Sequence, residues 1–183
     1  MSEHIMSVDT AAAHFLSTIR TPFLNEFFLF ITQFGSTSAM IALSIAAILF
    51  YSFFSKRRYI IPFLVAAIGS AVSINLIKML VARARPAADV AFYAEKLFSF
   101  PSGHSASALA ILGFIAYTAF KNVRTTCARV CILGGAALLI LLIGFSRLYL
   151  GVHYLSDVIG GYVLGTLWLL IGIRVDMWLN RKR

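Results

Sequence analysis

Two histidines, His104 and His153, each stand at the start of a long apolar run, among residues suited to holding an anion. Around the second, SRLYLGVHYLSD (146–157) sets Arg147 ahead of His153 and places Asp157 one i to i+4 step after it, on the same helix face. A carboxylate beside one imidazole nitrogen fixes the tautomer, leaves the other nitrogen's lone pair free and stabilises an imidazolium. Around the first, FPSGHSAS (100–107) puts Pro101 and Ser102 at a helix start, where unpaired backbone N–H groups and the helix dipole favour an anion. Gly103 lets the backbone approach that anion closely, and His104 on the first turn can give or take a proton near neutral pH. Lys78 and Arg85 add two cations seven residues apart, just ahead of Pro86. If the helix carrying Lys78 runs on, close to two turns bring both onto one face before Pro86 stops it.

Taken singly, each cluster also has a structural reading. Lysine and arginine snorkel from helix ends, Ser102 is an ordinary N-cap, and His153 with Asp157 makes a capping pair. Two histidines and a carboxylate could ligate zinc, but Lys78, Arg85 and Arg147 nearby would repel it. Taken together, three cations, a helix N-terminus and two imidazoles suit a phosphate. Phosphoryl transfer asks mainly for positioning and charge on the equatorial oxygens, which arginine forks and backbone N–H groups supply without metal. No metal or other cofactor is expected.

These residues must be positioned by membrane helices. With 60% hydrophobic and 14% aromatic residues over 183 positions, the chain has more apolar surface than a soluble core of this length can hide. Its mean hydropathy of +0.88 agrees. A bilayer core takes roughly 20 apolar residues per helix, and five such runs are present, at about 36–54, 59–81, 104–120, 130–145 and 153–178. Residues 1–35 read as an amphipathic N-terminal segment, with one or two interfacial helices between 8 and 34 and Asp9 as an N-cap. The expected fold is therefore all-α: one membrane-embedded domain over 1–183, a polytopic transmembrane helix bundle over 36–183 with its site at one face. The N-terminus lacks a basic region followed by an apolar core, so insertion is expected to use the spans themselves. Cys127 and Cys131, four apart on an apolar stretch, form neither a redox pair nor a zinc pattern and read as buried reduced thiols.

The net charge of +9 could indicate nucleic acid, but in so apolar a chain topology explains it and no nucleic-acid partner is expected. Lys56, Arg57, Arg58, Lys121, Arg124, Arg129, Arg174, Arg181, Lys182 and Arg183 fall on one side, with Asp176 as its acid. Arg20, Lys78, Arg83, Arg85, Lys96 and Arg147 fall on the other, offset by Glu3, Asp9, Glu26, Asp89, Glu95 and Asp157. The first side, with the C-terminus, is expected in the cytoplasm, and the candidate site outside, on the periplasmic face if the membrane is a bacterial inner membrane.

Lys78 with Arg85-Pro86 (K-x6-R-P), Pro101-Ser102-Gly103-His104 (P-S-G-H), and Ser146-Arg147 with His153 and Asp157 (S-R-x5-H-x3-D) resemble the three motifs of the type 2 phosphatidic acid phosphatase family, whose site is shared with vanadium haloperoxidases. All three match in order and spacing and span about half of the chain. The resemblance implies that His153 is a nucleophile forming a phosphohistidine, that Asp157 orients it, and that His104 protonates the leaving oxygen and then activates water. It implies that Lys78, Arg85, Ser102, Gly103 and Arg147 hold the phosphate. Family members commonly have six spans, and here the amphipathic N-terminus stands in place of the first. The implied activity is metal-independent hydrolysis of a membrane lipid phosphate or diphosphate, with undecaprenyl diphosphate ranked first. Phosphatidylglycerophosphate, phosphatidate and a lipid A phosphate follow, with a lipid phosphotransferase or a lipid-phosphate transporter as other classes.

Overall fold

The computed structural model describes residues 3–87, 90–95 and 97–181, all helix, turn or loop. Asp89, Lys96, Lys182 and Arg183, placed above by charge, lie outside the described residues. Among the described residues seven α-helices follow in order: α1 (Glu3–Thr18), α2 (Pro22–Gln33), α3 (Thr37–Phe53), α4 (Ile60–Val81), α5 (Gly103–Asn122), α6 (Thr126–Tyr149) and α7 (Leu155–Arg181). Four are long and apolar enough to cross a bilayer: α4 with the short 3-10 turn before it, α5, α6 and α7. α2 and α3, bent by 44° at their junction, are long and apolar enough only as a pair, so the segment 36–54 is not a separate span as expected. The protein is an integral membrane helix bundle.

Local sequence explains the helix ends. Thr21 caps α2, with Pro22 at its first position, and Ser36 caps α3 by accepting from the Ala39 N–H. α6 stops at a turn in which Gly151 takes φ +66, the left-handed conformation common just past a helix C-terminus. A methyl there would lie 2.4 Å from the Val90 carbonyl oxygen. That turn lets the Val152 and His153 N–H groups return to the Arg147 carbonyl at 3.2 and 3.3 Å, which ties the third motif to itself.

The helix α5 is the axis of the bundle. Ala106, Ala108, Ala110 and Phe114 on it are fully buried, and α7 crosses it on Gly161 and Gly165. A Cβ at either glycine would stand 2.6 Å from the Ser102 or the Ala106 carbonyl oxygen, so small residues set the interhelical distance, as membrane helices require for close packing. The same crossing brings the Ser102 N–H to the Asp157 carbonyl oxygen at 2.9 Å, joining two motifs through the backbone.

Three further expectations change. Asp9 is not an N-cap: α1 begins at Glu3, and Asp9 lies mid-helix with 2% exposure, turned toward α7 while Ile5, Val8 and Phe15 face outward. The helix carrying Lys78 does not run on to Arg85. Ala82 adopts φ +46 and ends α4, and residues 82–87 continue as loop. Cys127 and Cys131 are free but exposed on the outer surface of α6, where no neighbouring helix covers them.

Candidate active site

The ends of α4, α5, α6 and α7 that carry the motifs meet at one face of the bundle, roofed by the described parts of the loop 82–102. That loop folds back on itself: the Ser99 N–H bonds the Arg83 carbonyl at 2.9 Å and the Arg85 Nε bonds the Leu97 carbonyl at 2.6 Å. It is pinned to the turn after α6 by the Phe92 N–H to the Leu150 carbonyl, 2.9 Å. Lys78 and Arg85 thus share one side of the site through loop geometry and not through a common helix face.

A cleft of about 430 Å³ opens between α3 and α4, lined by Met40, Ile41, Ile45, Ile68 and Ile74 among others, and ends at Lys78, Arg85, Gly103, His104 and His153. Five of the eight expected site residues therefore line one space. Arg147 is 1% exposed and reaches the same end through Glu95. Asp157 and Ser102 lie behind it, both fully buried. The Ser102 N–H is already taken by Asp157, and its hydroxyl accepts from the Ser105 hydroxyl at 3.0 Å. The helix start thus offers an anion the N–H groups of Gly103 and His104 rather than that of Ser102. Around Gly103 only Ile74 comes within 4 Å of where a Cβ would stand, so its open side is the cleft.

His153 lies in the turn before α7, 2% exposed. Its Nε2 stands 3.3 Å from Arg85 Nη1. Arginine only donates, so Nε2 is the acceptor and the proton belongs on Nδ1. Nδ1 points to Asp157 Oδ2 at 3.4 Å, a long contact short of an aligned hydrogen bond, and has no other partner among the described residues. Oδ2 also accepts the Tyr154 N–H at 2.9 Å, while Oδ1 is held by Arg83 at 2.5 Å. Burial pulls the His153 pKa down and Asp157 pulls it up. Arg147 and Arg85 add to the fall, leaving it at about 4, so the imidazole is neutral at pH 7 and its unprotonated Nε2 faces Arg85.

Sequence reasoning missed four participants: Glu95, Thr32, Tyr93 and Gly35. Glu95, counted only as an outer acid, lies between the two guanidiniums: Arg85 Nη2 is 2.6 Å from its Oε2, and Arg147 Nη2 holds its Oε1. Burial pushes its carboxyl up, but Arg147 and Arg85 outweigh that and hold it below the usual carboxylate range. Arg147 is also fixed by Thr32 of α2 at 2.9 Å and the Tyr93 hydroxyl at 2.6 Å. Gly35, at the bend between α2 and α3, packs on the His104 ring, where a Cβ would come within 2.9 Å of Cδ2. Its signal was a glycine between two capped helices, and that of Glu95 an acid in a loop crowded with cations.

The motif residues gather at one face, and residues 59–181, which hold all three motifs, match the PAP2 superfamily. The chain belongs to the PAP2 superfamily. A PAP2 relative, phosphatidylglycerophosphatase B of Bacillus subtilis (strain 168), is 34% identical over 98% of this chain and 88% of its own length. The crystal structure of the first transmembrane PAP2-type phosphatidylglycerolphosphate phosphatase from Bacillus subtilis superposes with a TM-score of 0.87 at 30% identity, covering 100% of this chain and 89% of that one. Aquifex aeolicus LpxE shares the fold, with a TM-score of 0.77 at 24% identity over 95% of this chain and 99% of that one.

Proposed function

We propose that this PAP2 protein is a lipid phosphatase that removes a phosphate from a lipid whose tail stays in the bilayer. The observation that carries the reading is the apolar cleft between α3 and α4, which runs to both histidines. An acyl or prenyl chain fits its walls, and a phosphate fits its end, where Lys78, Arg85 and the N–H groups of Gly103 and His104 converge. Arg147 joins them once the phosphate displaces Glu95.

In the first step the Nε2 of His153 attacks phosphorus, a nitrogen–phosphorus bond forms, and the bond from phosphorus to the lipid oxygen breaks. Protonated His104 gives its proton to that oxygen. In the second step water attacks phosphorus, loses a proton to His104 and releases Nε2 with phosphate. Asp157 supports the positive charge that His153 acquires in between. The built-in cations do the work a divalent metal would do, so the reaction runs without one.

The relative named phosphatidylglycerophosphatase B moves phosphatidylglycerophosphate ahead of undecaprenyl diphosphate as the substrate to test. The reading includes a plasma membrane location, the bacterial inner membrane, with the site facing outward and the C-terminus cytoplasmic. The purified protein should release phosphate from detergent-dispersed phosphatidylglycerophosphate in the presence of chelator, with undecaprenyl diphosphate, phosphatidate and a lipid A phosphate as the comparison panel. Vanadate should inhibit by bonding to His153 in a five-coordinate geometry. No phosphate release from any of the four would point to binding or transport, and activity restored only by added zinc or magnesium would remove the metal-free mechanism.

A further inference from the structure

Behind the site, on the side away from the cleft, lies a chain of buried charges. Arg83 places Nη1 2.5 Å from Asp157 Oδ1 and Nη2 2.7 Å from Asp9 Oδ2, and the side-chain exposures of the three are 7%, 0% and 2%. Ser156 ties the ends together. Its N–H donates to Asp9 Oδ1 at 2.9 Å and its hydroxyl to Asp9 Oδ2 at 2.5 Å, while Arg83 Nη1 reaches that hydroxyl at 2.7 Å. The ring of Tyr154 closes one side, 4.1 Å from the guanidinium carbon. None of these side chains lines the cleft, so none of them meets the substrate.

We propose that Asp9 and Arg83 are positioning residues for the phosphoryl transfer, forming a carboxylate–guanidinium–carboxylate relay from α1 that holds Asp157 ionised and oriented behind His153. The inference rests on the reading of His153 as nucleophile. Asp157 is fully buried, and an isolated buried carboxylate takes up a proton. A protonated Asp157 neither fixes the imidazole tautomer nor supports the charge of a phosphohistidine. Arg83 prevents this, and its hold on Oδ1 turns Oδ2 toward His153 Nδ1. Arginine alone would leave an unbalanced cation at its other fork, and Asp9 supplies the balancing charge there. Through the Ser156 N–H, one of the unpaired donors in the first turn of α7, Asp9 also caps that helix from a different one. The N-terminal helix is therefore part of the catalytic apparatus although it contributes nothing to the cleft.

The test uses the full chain in detergent or in lipid vesicles, with turnover expressed per active site from the burst of phosphoenzyme. Asp9→Asn should lower kcat by about 10- to 100-fold, the range typical of groups that act through another ligand or catalytic side chain, with KM unchanged within about twofold. Arg83→Met should lose more, because it leaves two buried carboxylates facing one another. Adding Asp9→Asn to Arg83→Met should recover part of that loss, and Arg83→Lys should retain most of the activity. If Arg83→Met does not fold, Asp9→Asn and Arg83→Lys carry the test. A loss confined to KM, a double variant no better than Arg83→Met, or wild-type kcat in Asp9→Asn would overturn the relay. His153→Ala separates the two readings. If it still forms phosphoenzyme, the nucleophile assignment fails and the relay with it. If it is inactive while the Asp9 and Arg83 variants run like wild type, only the relay fails.

Discussion

Gly103 lines the cleft with open space beside it, which separates its contribution to binding from its contribution to folding. Gly103→Ala adds a methyl at the first position of α5, where alanine's advantage is smaller than the about 0.5–1 kcal/mol of a helix interior. Thermal stability should hold or rise slightly while KM rises, since the methyl lies where a phosphate would approach the N–H groups; an unchanged KM would place the phosphate elsewhere. The two histidines divide by leaving group. His153→Ala should abolish both turnover and acid-labile phosphoenzyme. His104→Ala should slow lipid substrates by the order of 10²–10⁴ expected of a lost general acid. With a nitrophenyl phosphate it should slow phosphoenzyme formation much less and let the intermediate accumulate, because water is still not activated. Equal losses on good and poor leaving groups would remove the acid assignment. The His153–Asp157 pairing and the helix start before His104 were legible in residue types and spacing because both are local, although His153 itself stands in the turn before α7 and not on the helix. The roles proposed for the two imidazoles are what these variants test. The Ser102 N–H was misread because its partner, the Asp157 carbonyl, lies on a different helix.

The loop 82–102 decides more of the site than any single helix. It carries Arg83 inward to Asp157 and Arg85 toward His153, two residues apart and pointing opposite ways, as an extended segment allows and a continued helix would not. It also sets the Glu95 carboxylate between the guanidiniums of Arg85 and Arg147, where phosphate oxygens would bind. A ligand must displace that carboxylate, so its affinity is reduced by the fraction of protein in which the fork is already open. Glu95→Gln should lower the inhibition constant for vanadate or inorganic phosphate by about tenfold. Weaker inhibition would mean that the carboxylate serves the bound state instead.

At the scale of the whole molecule, the two ends of the bundle differ in charge, and the positive-inside rule turns that difference into a prediction of orientation. The end opposite the site gathers Arg57, Arg58, Lys121 and Arg129, and its acid Asp176 is buried, accepting from the Tyr117 hydroxyl at 2.7 Å and paired with Lys121 at 2.9 Å. With Cys127 and Cys131 replaced by serine, a cysteine at Ala87 should react with a membrane-impermeant thiol reagent in intact cells. One at Arg57 should react only after permeabilisation. The reverse pattern would turn the site to the cytoplasm.

Composition and pattern by themselves determined an all-helical membrane bundle and the approximate limits of α4 to α7, because hydropathy and helix period act within a few residues of one another; they also singled out the residues proposed to handle phosphate. Only tertiary structure decided how the motifs reach one point. The Gly161 and Gly165 contacts seat α7 on α5, the left-handed Ala82 ends α4 early, and the loop places Glu95 on the arginines. It likewise decided that Asp9 is a buried partner of Arg83 rather than the N-cap of its own helix. A charge inside an amphipathic helix is read from sequence as solvated or capping, since its compensating charge is 74 residues away in the chain and only packing brings the two together.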